Sequence, residues 1–211
     1  MRVTDYIAPH WAHAVLVTID TQRDFTVPGG PFVVPGTHEI VPAMARLARA
    51  FRARSLPIVH VVRLYLPDGS NADLCRRAAI EGGLAMGVPG TAGAELMDEL
   101  LPPLAPKLEA ARLLAGELQR IGLREWIMYK PRWSAFYRTR LEEHLRGLGV
   151  DTVVVCGCNF PNCPRTTIYE ASERDFRVVL AIDAISGLDE RGMEELGNIG
   201  VSLLEVDECL R

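Results

Sequence analysis

The chain has 211 residues, which is enough for one α/β domain with a large hydrophobic core. Its apolar fraction of 48% and charged fraction of 24% exclude a disordered chain, a collagen-like repeat and a small disulfide-stapled fold. The net charge of −4 has the wrong sign for a general nucleic-acid-binding protein, so we expect no nucleic-acid partner.

No stretch of the sequence approaches the 18 consecutive apolar residues of a membrane span, and the first residues lack the pattern of a signal peptide. We therefore expect no membrane contact and a cytoplasmic location. The five cysteines are an odd number in a chain of this size, which favours reduced thiols. Cys156, Cys158 and Cys163 crowd into eight residues without the spacing of a zinc site, so we expect no metal there.

Six near-continuous apolar runs predict strands that are buried on both faces. In chain order, they are residues 14–19, 58–62, 126–129, 152–156, 178–182 and 202–206. Amphipathic stripes between them predict helices. These stripes are Ile40, Met44, Leu47 and Phe51, then Tyr137, Leu141, Leu145 and Leu148, and finally Met193, Leu196 and Ile199. The alternation predicts a three-layer α/β/α sandwich, with a mostly parallel sheet of about six strands, as a single domain over residues 1–211.

Two segments interrupt this alternation. Residues 64–89 are rich in turn-forming residues and are predicted to be a loop. Residues 107–121 carry Leu108, Leu114, Leu118 and Ile121 at helical spacing, which predicts an added helix beside a pocket or at an oligomer contact.

Three reactive side chains follow strands of the predicted sheet. Asp20 ends the first strand, where it either caps a turn or points into the crevice, and Lys130 ends the third, where it reaches either solvent or the crevice. Cys163 precedes Pro164 at a predicted helix start, where the helix dipole would lower the pKa of a thiol; the alternative is a buried structural cysteine. In a sheet ordered 2-1-3-4-5, the three would meet where the winding reverses, as a nucleophile with its base.

Four motifs occur in a characteristic order. They are D-x-Q-x-x-F at Asp20, Gln22 and Phe25, PGTAGAE from Pro89, KPRWSAF from Lys130, and a Gly157 to Cys163 stretch that opens a helix. Together they resemble the isochorismatase-like cysteine hydrolase superfamily, which includes nicotinamidases, N-carbamoylsarcosine amidases and isochorismatases. The resemblance covers nearly the whole chain.

The resemblance implies a catalytic triad of Asp20, Lys130 and Cys163. It also implies a cis peptide bond between Cys158 and Asn159, with the amides of Asn159 and Cys163 forming an oxyanion hole. A non-proline cis bond costs about 3 kcal/mol, so it would need a functional reason. Relatives in this superfamily are often dimers or tetramers, which implies a homo-oligomer.

A substrate pocket is expected around these residues. The side chains predicted to form its apolar walls are Phe25, Trp133, Phe160 and Tyr65. The side chains predicted to make polar contacts with the substrate are Gln22, Asn159 and Asn162. Either Arg63 or Arg165 could receive a substrate carboxylate.

Besides the added helix predicted at residues 107–121, the chain departs from the family pattern in two places. The second strand offers only His60 where nicotinamidases carry a metal-binding Asp-x-His and a further His, so no metal or other cofactor is expected, and His60 is predicted to contact a backbone carbonyl. The segment before Cys163 reads Cys-Asn-Phe-Pro-Asn instead of the usual small apolar or Thr residues.

Three hypotheses about function follow. The first is a cysteine-dependent hydrolase of a small amide, ureido or related acyl substrate, which acts on carbon–nitrogen bonds other than peptide bonds through a thioester. The second is hydrolysis of a vinyl ether, as in isochorismatases. The third is a catalytically silent, redox-responsive binding protein that uses the clustered cysteines.

Overall fold

The computed structural model describes residues 5–211, and its strands form one seven-stranded sheet. The strands are β1 (Ala14–Ile19), β2 (Ile58–Val62), β3 (Gln119–Gly122), β4 (Glu125–Tyr129), β5 (Thr152–Gly157), β6 (Arg177–Ile185) and β7 (Ser202–Leu204). The spatial order is β3-β4-β2-β1-β5-β6-β7, and only the β3–β4 pair is antiparallel. The predicted α/β class with a mostly parallel sheet is confirmed, with seven strands instead of six.

The expected order of the strands is wrong in one respect. The strand before Lys130 (β4) does not lie beside β1, because β2 lies between them. The chain winds outward from β1 in both directions, first through β2 and β4 and then through β5, β6 and β7. The winding direction therefore reverses between β1 and β5, whose carboxyl ends lie beside the usual crevice of such sheets.

Helices cover both faces of the sheet. They are α1 (Arg23–Thr26), α2 (Thr37–Ala53), α3 (Leu74–Glu81), α4 (Ala110–Leu114), α5 (Leu141–Gly147), α6 (Cys163–Ser172), α7 (Glu190–Asn198) and α8 (Val206–Cys209). Side chains of α2 and α8 pack with Leu16 on one face, and those of α5, α6 and α7 pack with Val15 and Val17 on the other. This alternation along β1 explains its uninterrupted apolar run. None of the helices within residues 5–211 has the length and apolar character that spanning a lipid bilayer requires.

The two segments that interrupt the alternation differ from their predictions. The segment predicted as a helix contains the five-residue α4, which is followed by Gly116 with a left-handed φ of 84° and then by β3. Gln119 pairs with Ile127 in the antiparallel β3–β4 pair, so the residues predicted to continue the helix form a strand instead. The segment predicted as a loop contains α3, in which Ile80 is buried, Arg76 and Arg77 are half-buried and the other residues are exposed. In addition, α5 begins at Leu141, four residues after Tyr137.

Candidate active site

Two candidate residues are fixed by the end of the same strand. The backbone amide of Asp20 donates to the carbonyl of Val61 at 2.9 Å, and the amide of Lys130 donates to the carbonyl of Val62 at 3.0 Å. Asp20 has a φ of 52°, in the left-handed region that non-glycine residues adopt at some cost. The end of β2 therefore holds both backbones, one on each side.

The side chain of Lys130 connects the candidate triad. Its Nζ atom donates to Asp20 Oδ2 at 2.8 Å, to the backbone carbonyl of Arg132 at 3.3 Å and to Cys163 Sγ at 3.1 Å. These three acceptors match the three N–H donors of an ammonium group. Lys130 is fully buried, and its long side chain reaches the groups beyond β2. The structure thus brings Asp20, Lys130 and Cys163 together although their strands are not all adjacent.

Cys163 is the first residue of α6, as predicted. Asn162 is the N-cap residue, and Pro164 occupies the first turn, where its missing N–H costs nothing. Cys163 is 5% exposed. The thiol therefore lies at the positive end of a ten-residue helix and close to the ammonium of Lys130.

The expected lowering of the thiol pKa is wrong. Burial, followed by the negative charge of Asp20, raises the pKa of Cys163 to about 11, and the opposing effect of Lys130 is smaller. Because the site is desolvated, the thiolate loses more hydration than the helix and the lysine restore. The resting thiol is therefore protonated at neutral pH and needs a base. Asp20 Oδ1 is buried and has no hydrogen-bond partner among the described residues, so it is free to accept that proton.

The predicted cis peptide bond is not found. All peptide bonds of the described chain are trans, including the one between Cys158 and Asn159. The trans turn already satisfies its neighbouring amides, because Cys158 donates to Ile19 at 2.9 Å and Phe160 donates to Ser186 at 2.7 Å. Within residues 5–211, the amides of Asn159 and Cys163 have no protein acceptor and remain available to an oxyanion.

Gly157 allows this turn to approach β1. Its φ is 118°, and a Cβ atom placed there would lie 2.3 Å from the carbonyl oxygen of Ile19. Only glycine accommodates both the backbone conformation and the close contact. This close approach sets the turn before α6 directly against the end of the strand that precedes Asp20.

A cavity of about 260 Å³ opens at the candidate triad. Its lining is Asp20, Phe25, Phe32, Val33, Val34, Pro35, Arg63, Tyr65, Arg76, Cys158, Asn159, Asn162 and Cys163. Five residues of the predicted pocket therefore line it, together with Asp20 and Cys163 of the candidate triad; the five are Phe25, Arg63, Tyr65, Asn159 and Asn162.

Gln22 does not line the cavity, contrary to the prediction. Its side-chain amide donates to the carbonyls of Arg63 and Ala94, each at 2.8 Å, and its side-chain oxygen accepts from the amide of Arg63 at 2.7 Å. These backbone contacts occupy the polar atoms of this fully buried side chain. Gln22 thus clamps the end of β2, including the backbone of Arg63.

Trp133 and Phe160 are also outside the lining of the cavity, contrary to the prediction. The guanidinium of Arg76 lies 4.6 Å from the centre of the Trp133 ring, so Trp133 supports a lining residue from behind. Phe160 is 1% exposed and packs in the core beneath α7, where Gly192 leaves room for its ring. The sequence showed that both are large and apolar, but not which way a loop directs them.

Of the two candidate arginines, only Arg63 lines the cavity. Arg165 is outside it, where it pairs with Glu195. Sequence reasoning missed Arg76, which lies on α3 within the segment predicted as a loop. Its i,i+3 spacing from Asp73 was the available signal, because the two form an ion pair at 2.8 Å.

His60 is buried between two side chains rather than beside a backbone carbonyl. Its Nδ1 lies 2.8 Å from Thr18 Oγ1, and its Nε2 lies 2.7 Å from Glu125 Oε1. Burial alone would raise the pKa of Glu125. Hydrogen bonds from Arg52 and His60 outweigh burial and hold this pKa below its usual range. In the part of the chain that the structure describes, no three or more His, Cys, Asp and Glu residues are grouped as metal ligands.

The clustered cysteines occupy different environments. Cys158 and Cys163 both line the cavity, whereas Cys156 lies within β5. Cys158 Sγ donates to the backbone carbonyl of Asp20 at 3.1 Å, which gives it a supporting contact behind the triad. Burial raises the pKa values of Cys156 and Cys158, which keeps both thiols protonated at neutral pH.

Comparisons with known proteins agree with this architecture. A probable inactive nicotinamidase from Arabidopsis thaliana is 29% identical over 201 residues, covering 92% of this chain and 93% of its own. A maleamate amidohydrolase from Pseudomonas putida is 28% identical over 172 residues, covering 81% and 70%. The crystal structure of an isochorismatase family protein from Desulfovibrio vulgaris matches with a TM-score of 0.79 and 33% identity, covering 92% and 95%. The family model of the isochorismatase domain matches residues 14–202, and the chain therefore belongs to the isochorismatase family.

Proposed function

We propose that the protein is a cysteine-dependent amidohydrolase that cleaves small amide or ureido substrates through a thioester on Cys163. The observation that carries the proposal is the position of Lys130 Nζ, which lies 2.8 Å from Asp20 Oδ2 and 3.1 Å from Cys163 Sγ. The other oxygen of Asp20 is unpartnered, as a general base requires. A maleamate amidohydrolase and an N-carbamoylsarcosine amidase among the relatives support the reaction class.

In the first step, Asp20 accepts the thiol proton while the sulfur attacks the substrate carbonyl carbon. The new S–C bond forms, and the π electrons of the carbonyl move to its oxygen. The free amides of Asn159 and Cys163 are the donors proposed to stabilise that oxyanion. Lys130 keeps its charge throughout and stabilises both the carboxylate and the developing thiolate.

In the second step, protonated Asp20 gives its proton to the leaving nitrogen, the C–N bond breaks and the amine leaves. The acyl group then remains on Cys163 as a thioester. Asp20 next takes a proton from water, and the hydroxide adds to the thioester carbonyl. The C–S bond breaks, the acid is released and the sulfur recovers its proton from Asp20. The cycle uses residues of this chain and water.

A silent binding protein is the second candidate, because one relative is described as a probable inactive nicotinamidase. The complete triad argues for the hydrolase, since a binding protein needs neither the base nor the buried ammonium. Vinyl ether hydrolysis is less favoured, because direct protonation by an acid would leave the nucleophilic sulfur at the cavity without a role.

The test is release of ammonia or amine from a panel of small amides and ureido compounds, combined with mass spectrometry of the quenched protein. Wild type should turn over at least one of them and carry a hydroxylamine-sensitive acyl group on Cys163. The variant Cys163→Ala should lose about 10⁴-fold or more in kcat. The matched control is Cys209→Ala, a buried cysteine on α8 at the opposite face of the sheet. Turnover that survives Cys163→Ala would contradict the mechanism.

We further propose a homo-oligomer, either a dimer or a tetramer, in the cytoplasm. The family resemblance supports the assembly, and the five free cysteines of the chain support a reducing compartment. Light scattering coupled to size exclusion tests the assembly, because a monomeric mass at micromolar concentration contradicts it.

A further inference from the structure

Arg63 follows β2 and forms part of the cavity wall, although it is only 3% exposed. Its Nη2 donates to Asp73 Oδ1 at 2.7 Å and to the hydroxyl oxygen of Tyr65 at 2.6 Å, and its Nε lies 3.1 Å from the same hydroxyl. Its Nη1, by contrast, is buried and has no hydrogen-bond partner among the described residues. One end of the guanidinium is therefore fixed, and the other is unsatisfied.

An unsatisfied buried N–H of a charged group is costly and calls for an explanation. The side chain cannot easily turn away, because Asp73 and Tyr65 hold its other nitrogens, and Gln22 clamps its backbone on both sides. The arginine is therefore held in place beside the cavity, with one nitrogen that no acceptor among the described residues satisfies.

The surrounding charges favour an anion. Asp73 is shared by Arg63 at 2.7 Å and Arg76 at 2.8 Å, so one carboxylate faces two guanidinium groups. In the triad, the charges of Asp20 and Lys130 balance each other while the thiol is protonated. One positive charge therefore remains uncompensated at the cavity.

The same wall also carries apolar side chains, among them Phe25, Phe32, Val33 and Val34. Apolar surroundings lower the local dielectric constant, which strengthens the attraction between a guanidinium and a bound anion. At about 260 Å³, the cavity lies just below the range of about 300–1,000 Å³ that is usual for ligand pockets, which favours a small ligand.

We propose that this cavity selects small amido or ureido acids, whose carboxylate accepts hydrogen bonds from Arg63 Nη1 while the scissile carbonyl faces Cys163. The assignment of the carbonyl rests on the proposed function, whereas the anion site at Arg63 does not. Arg63 is thus a specificity-determining residue, and Asp73 and Tyr65 are positioning residues that act through it.

The first experiment compares succinamate with its methyl ester, which carries the same amide without the negative charge. Wild type should favour the acid in kcat/KM, and Arg63→Gln should lose about 10-fold to 100-fold for the acid, mainly in KM, with little change for the ester. The variant Arg63→Lys keeps the positive charge but lacks the planar, forked N–H donors of a guanidinium. Its kcat/KM for the acid should lie between those of wild type and Arg63→Gln. Equal use of acid and ester by wild type would overturn the proposal.

The second experiment measures the anion site without turnover, by alkylation of Cys163 with iodoacetate and with iodoacetamide at pH 8.5. The reagents are similar in size and differ in charge, and each forms an S–C bond with loss of iodide. Wild type should react faster with iodoacetate, with saturation, and succinate should protect Cys163. The variant Arg63→Gln should reverse this preference.

The matched control is Arg165→Gln. Arg165 lies two residues after Cys163 on α6 but outside the cavity, so this variant should leave the preference unchanged. If Arg63→Gln does not fold by circular dichroism, the wild-type rates and the Arg63→Lys variant decide the question. A preference for iodoacetamide in wild type without protection by succinate would overturn the anion site. A preference for iodoacetate in a protein that hydrolyses no amide would uphold the anion site and overturn the hydrolase.

Discussion

Asp20 and Lys130 donate their backbone amides to consecutive carbonyls of β2, on opposite sides of that strand. Their side chains then meet beyond its end, with Lys130 Nζ 2.8 Å from Asp20 Oδ2. The width of β2 therefore separates the two backbones, and the long side chain of Lys130 spans that separation to reach the carboxylate. A site built on rigid strand ends keeps its geometry better than one built on loops.

This buried pair should be strongly coupled in stability. The variant Lys130→Met leaves the carboxylate of Asp20 buried without its cation, and we expect a loss of about 3–5 kcal/mol in the free energy of unfolding. The double variant Asp20→Asn/Lys130→Met should lose less than the sum of the two single variants, because it leaves no unpaired charge. Urea denaturation measures all four corners of this cycle. Additive losses would show that the pair is not coupled.

The variant Asp20→Asn should separate thiol reactivity from hydrolysis. Burial is the largest cause of the raised pKa of Cys163, and the charge of Asp20 is the next, so removing that charge lowers the pKa while Lys130 remains. Alkylation of Cys163 by iodoacetamide at pH 8 should therefore become faster. Hydrolysis should fall by about 10²-fold to 10⁴-fold because the general base is lost.

Exposed Cys75 provides an internal reference for the labelling rate in the same sample. If both the labelling of Cys163 and the hydrolysis decreased in Asp20→Asn, the carboxylate would not be the group that keeps the thiol protonated.

Stability should fall at alkaline pH. The pKa of Cys163 is raised from about 9 to about 11 by burial and by Asp20, so the folded state binds the thiol proton more tightly than the unfolded state. The resulting stabilisation is complete below about pH 9 and is lost as pH rises towards 11, at up to about 1.4 kcal/mol per pH unit. Urea unfolding at intervals from pH 8 to 11 should show this decline, and Cys163→Ala should make it shallower. A slope that Cys163→Ala leaves unchanged would mean that other groups cause it.

Two glycines of α7 should respond oppositely to alanine. A Cβ atom at Gly192 would lie 2.3 Å from the Phe160 ring, so Gly192→Ala should destabilise the fold by about 1–3 kcal/mol. At Gly197, nothing lies within 4 Å of the added atom, and Gly197→Ala should stabilise by up to about 1 kcal/mol through helix propensity. Thermal unfolding of the two variants checks the difference. Similar effects in both would place Phe160 away from α7.

The sheet was largely predictable from the sequence, because strands covered on both faces must be apolar along their whole length. The strand β3 escaped this rule: it is short, lies at the edge and has the exposed Arg120 within it. Its Ile121 also continued the helical spacing of Leu114 and Leu118. Local periodicity could not decide between helix and strand there, and the antiparallel partner β4 did so.

The candidate triad was predictable because strand ends and helix starts place Asp20, Lys130 and Cys163 at one edge of the sheet. Its electrostatics were not, since the helix dipole can be read from the sequence but the loss of hydration at a 5% exposed thiol cannot. The side chains that follow β4 and β5 were equally unpredictable, because Trp133 and Phe160 lie in irregular segments whose direction depends on tertiary packing.

The strands at the two borders of the sheet, β3 with four residues and β7 with three, bear on how copies of this chain could associate. The pairing of β3 also shifts register between Arg120 and Gly122, which interrupts its regular outline. Borders this short and uneven present few backbone groups in a row, so they discourage a neighbouring chain from extending the sheet. An assembly of this protein would therefore join through helices and loops and leave each sheet a separate unit.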